Sequence, residues 1–403
     1  MLDEASSTVA AHRGEVPHID FDHNDPAFLQ NPRRTFHDLH QRCPVGYSTR
    51  FDGFWVLTRY ADIVAALHDT RAFSSASGVT LPDANAPVAF VPLESDPPLH
   101  PHYRRILQRE FSRGRMRGVE DAIRDLTNDL IDGFAERGAA DLAVELAWPI
   151  PAMIIARLMG FPRADWARFK ELTERLLATS RAEDLEANFE VALEYCTWVL
   201  EVLDERRREP RDDMLTRIVE AEVEGRPITE DEALGLTMVT IIAGHETTVG
   251  GIGALLMHVA ADPELKRRLM ADPLLLPKAV EEAVRLETPI AGVARTVTAD
   301  AEVGGQCLRQ GDKVWVAFGA GNCDEAEFTE PDHFDVDRSP NRHLGFGDGI
   351  HRCVGAPLAQ LEMKIVLEEV LKRIPDYRID DPDSVIFGGG QSRMLLHLPV
   401  RWV

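Results

Sequence analysis

The chain has 403 residues and 44% of them are hydrophobic, enough to fill one large enzyme core or the cores of two or three average domains. Lys and Arg number 44 and Asp and Glu 67, a formal net charge of −23, which argues against nucleic acid or an anionic membrane surface as a partner. The five cysteines are scattered and form no C-x-x-C pair, which argues against a disulfide framework, a zinc ribbon or an ordinary iron–sulfur cluster. A cysteine that binds metal in this chain must bind it alone.

The chain begins with MLDEASSTVAAHRGEVPHID, in which no apolar stretch follows a basic start. Neither a signal peptide nor a membrane anchor is predicted, so we expect a cytoplasmic protein. We expect residues 1–20 to be flexible. Because the chain contains no repeat, low-complexity tract or Gly/Ser linker, we expect residues 1–403 to form a single domain.

Hydrophobic periodicity predicts helices over much of the chain. Residues 119–136 place apolar side chains three and four positions apart with acids between them, as an amphipathic surface helix requires. The same pattern predicts helices over residues 58–68, 164–178, 187–209, 212–222, 263–271, 276–286 and 358–374. Strand-like segments between Gly and Asp turns are fewer and lie at 54–59, 294–305, 312–319 and 394–403. The sequence therefore predicts a mainly α protein with small antiparallel β-sheets.

A basic segment lies at residues 100–117 of this acidic protein. It carries six arginines against Glu110 alone: Arg104, Arg105, Arg109, Arg113, Arg115 and Arg117. Opposite charges steer protein association, so an exposed cluster of this kind would attract an acidic partner protein. A solvated helix end without a partner is the alternative.

The longest predicted helix spans residues 229–261. Thr229 and Glu232 form a capping-box start and Asp262–Pro263 ends the run, which gives a helix of roughly 45–50 Å at 1.5 Å per residue. It is apolar nearly all round, which predicts a buried core helix. Ionisable residues interrupt the run and argue against a membrane span: His245, Glu246 and His258.

The centre of this helix, AGHETT at 243–248, combines a glycine, an acid and two hydroxyls. Gly244 weakens the helix by roughly 1 kcal/mol relative to alanine, and Thr247 and Thr248 can donate to carbonyls one turn earlier. We therefore expect the helix to open or kink here. Glu246 beside a hydroxyl is suited to begin a proton relay, and the alternative is a satisfied core acid beside a helix-bending threonine.

Residues 346–355, FGDGIHRCVG, surround Cys353 with three glycines just before a predicted helix. The helix N-terminus and the close backbone favour the thiolate form of the cysteine. Three uses are open: a nucleophile with His351 as its base, a structural thiol, and a single axial ligand to haem iron. The third suits the glycine-rich backbone best. Because thiolate ligation of haem favours O–O cleavage, it indicates oxygen activation.

Three motifs together resemble the cytochrome P-450 superfamily, in its soluble bacterial class. FGDGIHRCVG resembles the haem-binding loop, AGHETT resembles the oxygen-activating helix, and EAVR at 282–285 resembles the internal ion-pair motif. DPPLHPHYRR at 96–105 and ARTV at 294–297 add two further matches, so the resemblance covers the chain from about residue 50 to its end. One stretch, GAGNCDEAEF at 319–328, departs from the family's usual Ala-Asn-Arg-Asp run because Cys323 replaces the arginine.

The resemblance implies the family's fold, with haem b (iron protoporphyrin IX) between the long helix and the helix after the cysteine loop. It makes Cys353 the axial ligand of the iron. The groups that would bond the haem propionates are His100, Arg104, Arg295 and His351. Further contacts with the haem are implied for Ala243, Gly244, Phe346 and Gly347. A buried dianionic cofactor needs such cationic and hydrogen-bonding partners, and arginine–carboxylate pairing is the strongest kind.

Two residue pairs receive roles from the same resemblance. Glu246 and Thr247 become an acid–alcohol pair that supplies protons during oxygen activation. Glu282 and Arg285 become a structural core pair that helps to hold the haem, with Arg342 or His343 as candidates to share their network.

The implied activity is haem-thiolate monooxygenation, in which one atom of O2 is inserted into an apolar small molecule by hydroxylation or epoxidation. Electrons would come from NAD(P)H through a separate ferredoxin and reductase, because the chain carries no dinucleotide fingerprint, flavin motif or iron–sulfur cysteine set. An acidic ferredoxin is the favoured donor and a flavodoxin the second choice. The donor would dock near Arg104, Arg105, Arg109 and Arg113. We expect a monomer.

The resemblance also implies where the substrate binds. The candidate pocket residues are Met238, Ile241, Ala243, Ile290, Val293 and Ser392. They are mostly apolar and small, which favours an apolar substrate, and Gln391, Ser392 and Arg393 hint at one polar anchor. A haem-thiolate sensor, an H2O2-driven peroxygenase and a colourless cysteine hydrolase remain as alternatives.

Overall fold

The computed structural model describes residues 16–83, 86–181, 184–389 and 392–403. The expected flexibility of residues 1–20 falls mostly outside this part of the chain. Within it, His18–Ile19 forms a short strand. Gln391, a candidate polar anchor, also lies outside the described residues.

Helices carry most of the described structure. In chain order they are α1 (Pro26–Gln30), α2 (Pro32–Arg42), α3 (Tyr60–His68), α4 (His100–Glu110), α5 (Arg113–Met116), α6 (Glu120–Asp132), α7 (Pro149–Met159), α8 (Trp166–Arg181), α9 (Leu185–Arg208), α10 (Met214–Val219), α11 (Glu230–Ala261), α12 (Pro263–Ala271), α13 (Leu276–Glu287), α14 (Phe318–Asn322) and α15 (Ala356–Arg373). Every helix expected from periodicity is present, with its ends shifted by a few residues. The periodicity did not predict α1, α2, α4, α5, α7 and α14.

The strands are short and grouped in small sheets. They are β1 (His18–Ile19), β2 (Val45–Ser48), β3 (Phe54–Leu57), β4 (Phe73–Ser74), β5 (Ala139–Asp141), β6 (Glu222–Val223), β7 (Arg226–Pro227), β8 (Val293–Val297), β9 (Ala301–Val303), β10 (Gln306–Leu308), β11 (Lys313–Val316), β12 (Ile386–Gly388), β13 (Met394–His397) and β14 (Pro399–Arg401). The predicted mainly α class with small sheets is confirmed.

The largest sheet has six strands in the order β1-β2-β3-β11-β8-β4. It is mixed, which corrects the expectation of antiparallel sheets throughout. The β1–β2 and β3–β11 pairs run parallel, with Trp55 opposite Val314 in the second pair. Parallel strands need long connections, and here most of the helical body lies between β3 and β11 in the chain. The alternation of apolar and polar side chains within a strand does not show whether its neighbour runs parallel or antiparallel to it.

Helix α11 crosses the core and is buried along most of its length. Its predicted start is confirmed, because Thr229 and Glu232 form both bonds of a capping box. By length and hydropathy it is the one described helix that would suit a membrane span, but 72% of its most apolar 18-residue window is buried inside the protein. The helix packs on α7, α9, α13 and α15, as a core helix does.

Candidate active site

Cys353 lies two residues before Gly355, the residue that caps the start of α15. Its backbone N–H donates to the carbonyl of Phe346 at 2.8 Å, which closes the loop. Gly347 and Gly349 both have φ +65°, a left-handed conformation that favours glycine. A Cβ on Gly349 would lie 2.6 Å from the carbonyl oxygen of Leu67, so close packing as well as backbone shape requires glycine there.

The sulfur of Cys353 faces the interior of a cavity of ≈ 1020 Å³. The exposed surface of Cys353 faces this cavity, and protein surrounds the residue on its other sides. Burial raises the pKa of the thiol, and this effect outweighs the backbone N–H groups of Gly355 and Ala356 and the charges of Arg104 and Arg352, which lower it. The local groups of the loop therefore favour the thiolate, as expected, but burial by the rest of the fold outweighs them. A metal ion would reverse the balance, since a coordinating thiol is deprotonated outright.

Four basic side chains gather on one side of this cavity, as the resemblance implied. His100, Arg104, Arg295 and His351 all line it. The rings of His100 and His351 lie 4.5 Å apart, and Arg104 Nη2 donates to the carbonyl of Arg352 at 2.7 Å. Helix α4 therefore brings His100 and Arg104, one turn apart, to the same site as Arg295 from β8.

Burial lowers the pKa of these four groups and so disfavours their charged forms. It lowers the pKa of His100 to about 4 and that of His351 to about 3, with nearby arginines adding to the effect, so both imidazoles are neutral near pH 7. It lowers the pKa of Arg295 to about 10, and Asp96 opposes that only in part. His100 Nε2 is buried with no hydrogen-bond partner among the described residues. A buried arginine short of counter-charge and an unpartnered imidazole nitrogen fit a ligand that carries carboxylates, and the two propionates of haem satisfy that requirement.

Sequence reasoning missed two polar residues that support this basic wall. Ser75 Oγ lies 3.0 Å from Nε2 of His351, and Asp96 accepts the backbone N–H of Ser75 at 3.2 Å. Asp96 begins the DPPLHPHYRR motif and so had a signal in the sequence. Ser75 had none, because it lies in an unremarkable loop far from the cysteine.

Helix α11 forms another wall of the cavity. Ala243, Glu246 and Thr247 line it, and the Thr247 hydroxyl donates to the carbonyl of Ala243 at 2.8 Å. The expected opening does not interrupt the helix, which is α-helical throughout 230–261. Gly244 also borders the cavity, but a Cβ there would point at Ile155 of α7 at 3.2 Å. Its lack of a side chain therefore serves helix packing.

Most of the predicted substrate-pocket residues line the same cavity: Met238, Ala243, Ile290, Val293 and Ser392. Ile241 is an exception, because it is fully buried away from the cavity. Residues Val239, Ala243 and Thr247 repeat every four positions along the cavity face, and Ile241 lies about 200° from Val239 around the helix. Arg393 does not line the cavity either, so its role as a polar anchor is also corrected.

Walls that the sequence did not indicate come from distant elements. Pro26 and Leu29 of α1 and Phe189 of α9 line the cavity. Their sequence positions show no pattern that would assign them to a pocket. Phe189 remains 48% exposed, which places it at the protein surface as well.

Glu282 and Arg285 form a completely buried ion pair within α13. Arg285 donates twice to Glu282, at 2.8 and 2.9 Å, and also to the carbonyls of Asn322 and Pro331. Glu282 in addition accepts from Arg338 and from Asn341, both at 3.0 Å.

The candidates to share this network were wrong. Arg342 lies 3.8 Å from Glu327, and His343 bonds Glu281 at 2.9 Å, so neither joins Glu282. The unusual Cys323 is buried and donates to the carbonyl of Gly319 at 3.3 Å. The segment that departs from the family pattern is thus well packed.

Comparison with known proteins agrees with this arrangement. The family model described as Cytochrome P450 matches residues 271–375, which include the ion pair and the cysteine loop. Cytochrome P450 107B1 of Saccharopolyspora erythraea is 36% identical over 96% of this chain and 98% of its own length. The mycinamicin IV hydroxylase/epoxidase of Micromonospora griseorubida is 35% identical over 86% of this chain and 89% of its own.

The fold matches solved structures equally well. Cytochrome P450 CYP109Q5 from Chondromyces apiculatus superposes with a TM-score of 0.85 at 32% identity, covering 95% of this chain and 98% of that one. PksS, a cytochrome P450 of the bacillaene polyketide synthase of Bacillus subtilis 168, superposes with a TM-score of 0.87 at 29% identity over 95% and 99%. The chain therefore belongs to the cytochrome P450 family and is an oxidoreductase of the haem-dependent monooxygenase type.

Proposed function

We propose that this protein is a monooxygenase that inserts one atom of O2 into a mainly apolar small molecule, by hydroxylation or epoxidation, with electrons from a separate protein. The observation that carries this is the position of Cys353 just before α15, where it lines a large cavity that Glu246 and Thr247 also line. A thiolate-bound haem, once in place, supplies the activation of dioxygen.

We further propose that the cofactor is haem b. Cys353 would bind the iron through Sγ, and His100, Arg104, Arg295 and His351 would bond the propionates. The support for these roles is the surplus of buried basic groups on one wall and the unpartnered Nε2 of His100. Phe346 and Gly347 line the cavity beside the cysteine and would contact the porphyrin. The sequence contains no C-x-x-C-H site for covalent attachment.

The acid–alcohol pair would move protons. Thr247 Oγ1 donates to Ala243 of its own helix in this state, and rotation about its side chain would turn that hydroxyl into the cavity. Glu246, the preceding residue, also borders the cavity and would replace each proton that Thr247 passes on. Apolar lining residues such as Met238 and Ile242 would limit the access of bulk water to the pair, and so the loss of electrons to side reactions.

The substrate we propose is apolar over most of its surface. Leu29, Phe90, Met238 and Ile290 contribute hydrophobic wall, and Ser392 contributes one hydroxyl. Two relatives carry the names mycinamicin IV hydroxylase/epoxidase and steroid C26-monooxygenase, and the second name, which specifies a steroid, supports a largely apolar substrate for this chain as well.

An acidic ferredoxin is the electron donor we favour, with a flavodoxin second. Arg105, Arg109 and Arg117 are exposed on and after α4, the helix that also carries Arg104 to the cysteine loop. Arg115 is instead drawn to the buried Glu110 at 3.4 Å, and the side chain of Arg113 lies outside the described residues. We propose that this face docks the donor of a monomeric, cytoplasmic enzyme. Reversing charge with Arg109→Glu should raise the KM for a ferredoxin and flatten its dependence on salt.

The function is tested by reconstitution. Purified protein with NAD(P)H, a ferredoxin and a ferredoxin reductase should convert apolar compounds that shift its ferric spin state in a prior spectral screen. The variant Glu246→Gln should form product about 10²-fold more slowly with an unchanged haem spectrum. A protein that binds haem but consumes NAD(P)H under no condition with such partners would contradict the monooxygenase and favour a sensor.

A further inference from the structure

A buried charge cluster lies behind the cavity, apart from the basic wall already described. Its centre is Glu287, the last residue of α13, which is 8% exposed. Oε1 of Glu287 accepts from Arg33 Nη2 and from His258 Nε2, both at 2.7 Å, and Oε2 accepts from Arg393 Nη1. We call these four residues, Arg33, His258, Glu287 and Arg393, the Glu287 cluster.

The cluster joins elements that are far apart in the chain. Arg33 belongs to α2, His258 to α11 and Glu287 to α13, and Arg393 directly precedes β13. The guanidinium of Arg393 also lies 3.7 Å from the centre of the Phe387 ring. One carboxylate therefore fixes the relative positions of two helices, a strand and its own helix.

Glu287 is ionised although it is buried, because its basic partners stabilise the carboxylate. Burial opposes ionisation of Glu287, but the charge of Arg393 and the contacts with His258 and Arg33 hold the pKa of this carboxyl well below its usual value. Removing either Glu287 or Arg393 would leave the other's buried charge without its closest ionic partner, which is strongly unfavourable. The cluster is thus a rigid point of the structure.

That rigid point holds part of the cavity wall. Arg393 Nε donates to the carbonyl of Leu29 at 2.6 Å, and its backbone N–H donates to the carbonyl of Pro289 at 2.7 Å. Ser392 and Ile290 form an antiparallel bridge. Leu29, Pro289, Ile290 and Ser392 all line the cavity, whereas none of the four residues of the Glu287 cluster does. We call these four lining residues the Leu29–Ser392 wall.

We propose that Glu287 and Arg393 are positioning residues for substrate binding: they hold the Leu29–Ser392 wall in place and so set the affinity for substrates large enough to reach it. The inference rests on the proposed function, since it requires haem in the cavity. Because this wall is already ordered before binding, less of the binding free energy is lost in ordering it around the substrate. A ligand that binds the iron but is too small to reach the Leu29–Ser392 wall should have the same affinity whether or not the cluster is intact.

Two azoles of different size provide the test. Imidazole and clotrimazole both bind haem iron through a ring nitrogen and shift the Soret band, but only clotrimazole has aryl groups that extend to the cavity walls. In Glu287→Gln we expect the Kd of clotrimazole to rise about tenfold and that of imidazole to stay within about twofold. Arg393→Lys keeps the positive charge but not the planar set of donors that reaches Glu287 and Leu29 together, so it should show the same split.

The matched control is Glu369→Gln. Glu369 is also a buried carboxylate with basic partners, Arg124 and Lys372, but it joins α6 to α15, and neither it nor those partners line the cavity. Both azoles should bind this variant as they bind the original protein.

The proposal is overturned if clotrimazole binds both cluster variants with unchanged affinity. It is equally overturned if imidazole weakens as much as clotrimazole, because that would indicate general damage to the haem site. If Glu287→Gln does not purify with haem, Arg393→Lys decides alone. Absence of any Soret shift in the unaltered protein would instead contradict the proposed function.

Discussion

The substitution Arg285→Lys removes a planar set of donors from the most buried ion pair near the cysteine loop. Arg285 makes five hydrogen bonds, two to Glu282 and three to the carbonyls of Asn322, Pro331 and His333. Lysine has three donors on one atom, so at least two of these charge-assisted bonds are lost. At about 1.5–3 kcal/mol each, unfolding should become easier by about 3–6 kcal/mol.

The loss should extend to the cofactor. Arg285 ties α13 to the carbonyls at 322, 331 and 333, and Asn322 in turn accepts the backbone N–H of Leu344, just before the cysteine loop. We therefore expect Arg285→Lys to purify with less haem per chain, measured as Soret absorbance relative to protein absorbance, and to unfold at a lower temperature.

Arg217→Lys is the matched control. Arg217 makes a similar two-bond contact with the buried Glu110, at 2.8 and 2.9 Å, but it is 29% exposed, so water can replace part of what is lost. This variant should lose only about 1 kcal/mol and keep its haem. If Arg285→Lys were as stable as Arg217→Lys and held as much haem, the reasoning from buried geometry would be wrong.

Two further predictions concern the buried acid of α15 and the glycines of the cysteine loop. Neither carboxylate oxygen of Glu362 has a partner among the described residues, and burial raises the pKa of this carboxyl well above 4.5. The stability carried by its protonated form is therefore present below pH 4.5 and is lost as pH rises through the folded-state pKa. Glu362→Gln should raise the melting temperature more at pH 8 than at pH 5, and an equal shift at both pH values would contradict this. Gly347 and Gly349 share φ +65°, but only at Gly349 would a Cβ clash with backbone, 2.6 Å from the carbonyl oxygen of Leu67, whereas at Gly347 it would make an ordinary 3.8 Å contact with that of His351. Gly349→Ala should therefore lower the melting temperature clearly more than Gly347→Ala, and equal losses would show that backbone strain alone matters.

Much of the site could be predicted because its functional residues lie within short segments of the sequence. The cysteine loop, the acid–alcohol pair and the ion pair each occupy fewer than a dozen consecutive residues, and the family resemblance assigned them together. Amphipathic helices such as α6 were equally visible, since one face meets water. Helix α7 was not, because it begins Pro149-Ile150-Pro151 and is apolar on nearly every side, which removes the periodic signal.

What the sequence did not reveal depends on contacts between distant segments. Arg393 and Leu29 are 364 positions apart, so no local pattern announces their bond or the cluster around Glu287. Ile241 was misplaced because a helix apolar all round does not show which face meets a cavity. The rise in the pKa of Cys353 likewise comes from burial by the whole fold, whereas the sequence displayed only the local groups that lower it.

The central claim is that the sulfur of Cys353 binds haem iron, and one absorption measurement tests it most directly. Spectra of the reduced protein with carbon monoxide should be recorded for the unaltered chain and for Cys353→His, each at known haem content. We predict that the unaltered protein shows the long-wavelength Soret band from which the family takes its name. Cys353→His should lose that band or move it to the shorter wavelength of a histidine-bound haem. Identical carbon monoxide spectra for the two proteins, or an unaltered protein that takes up no haem at all, would contradict the claim.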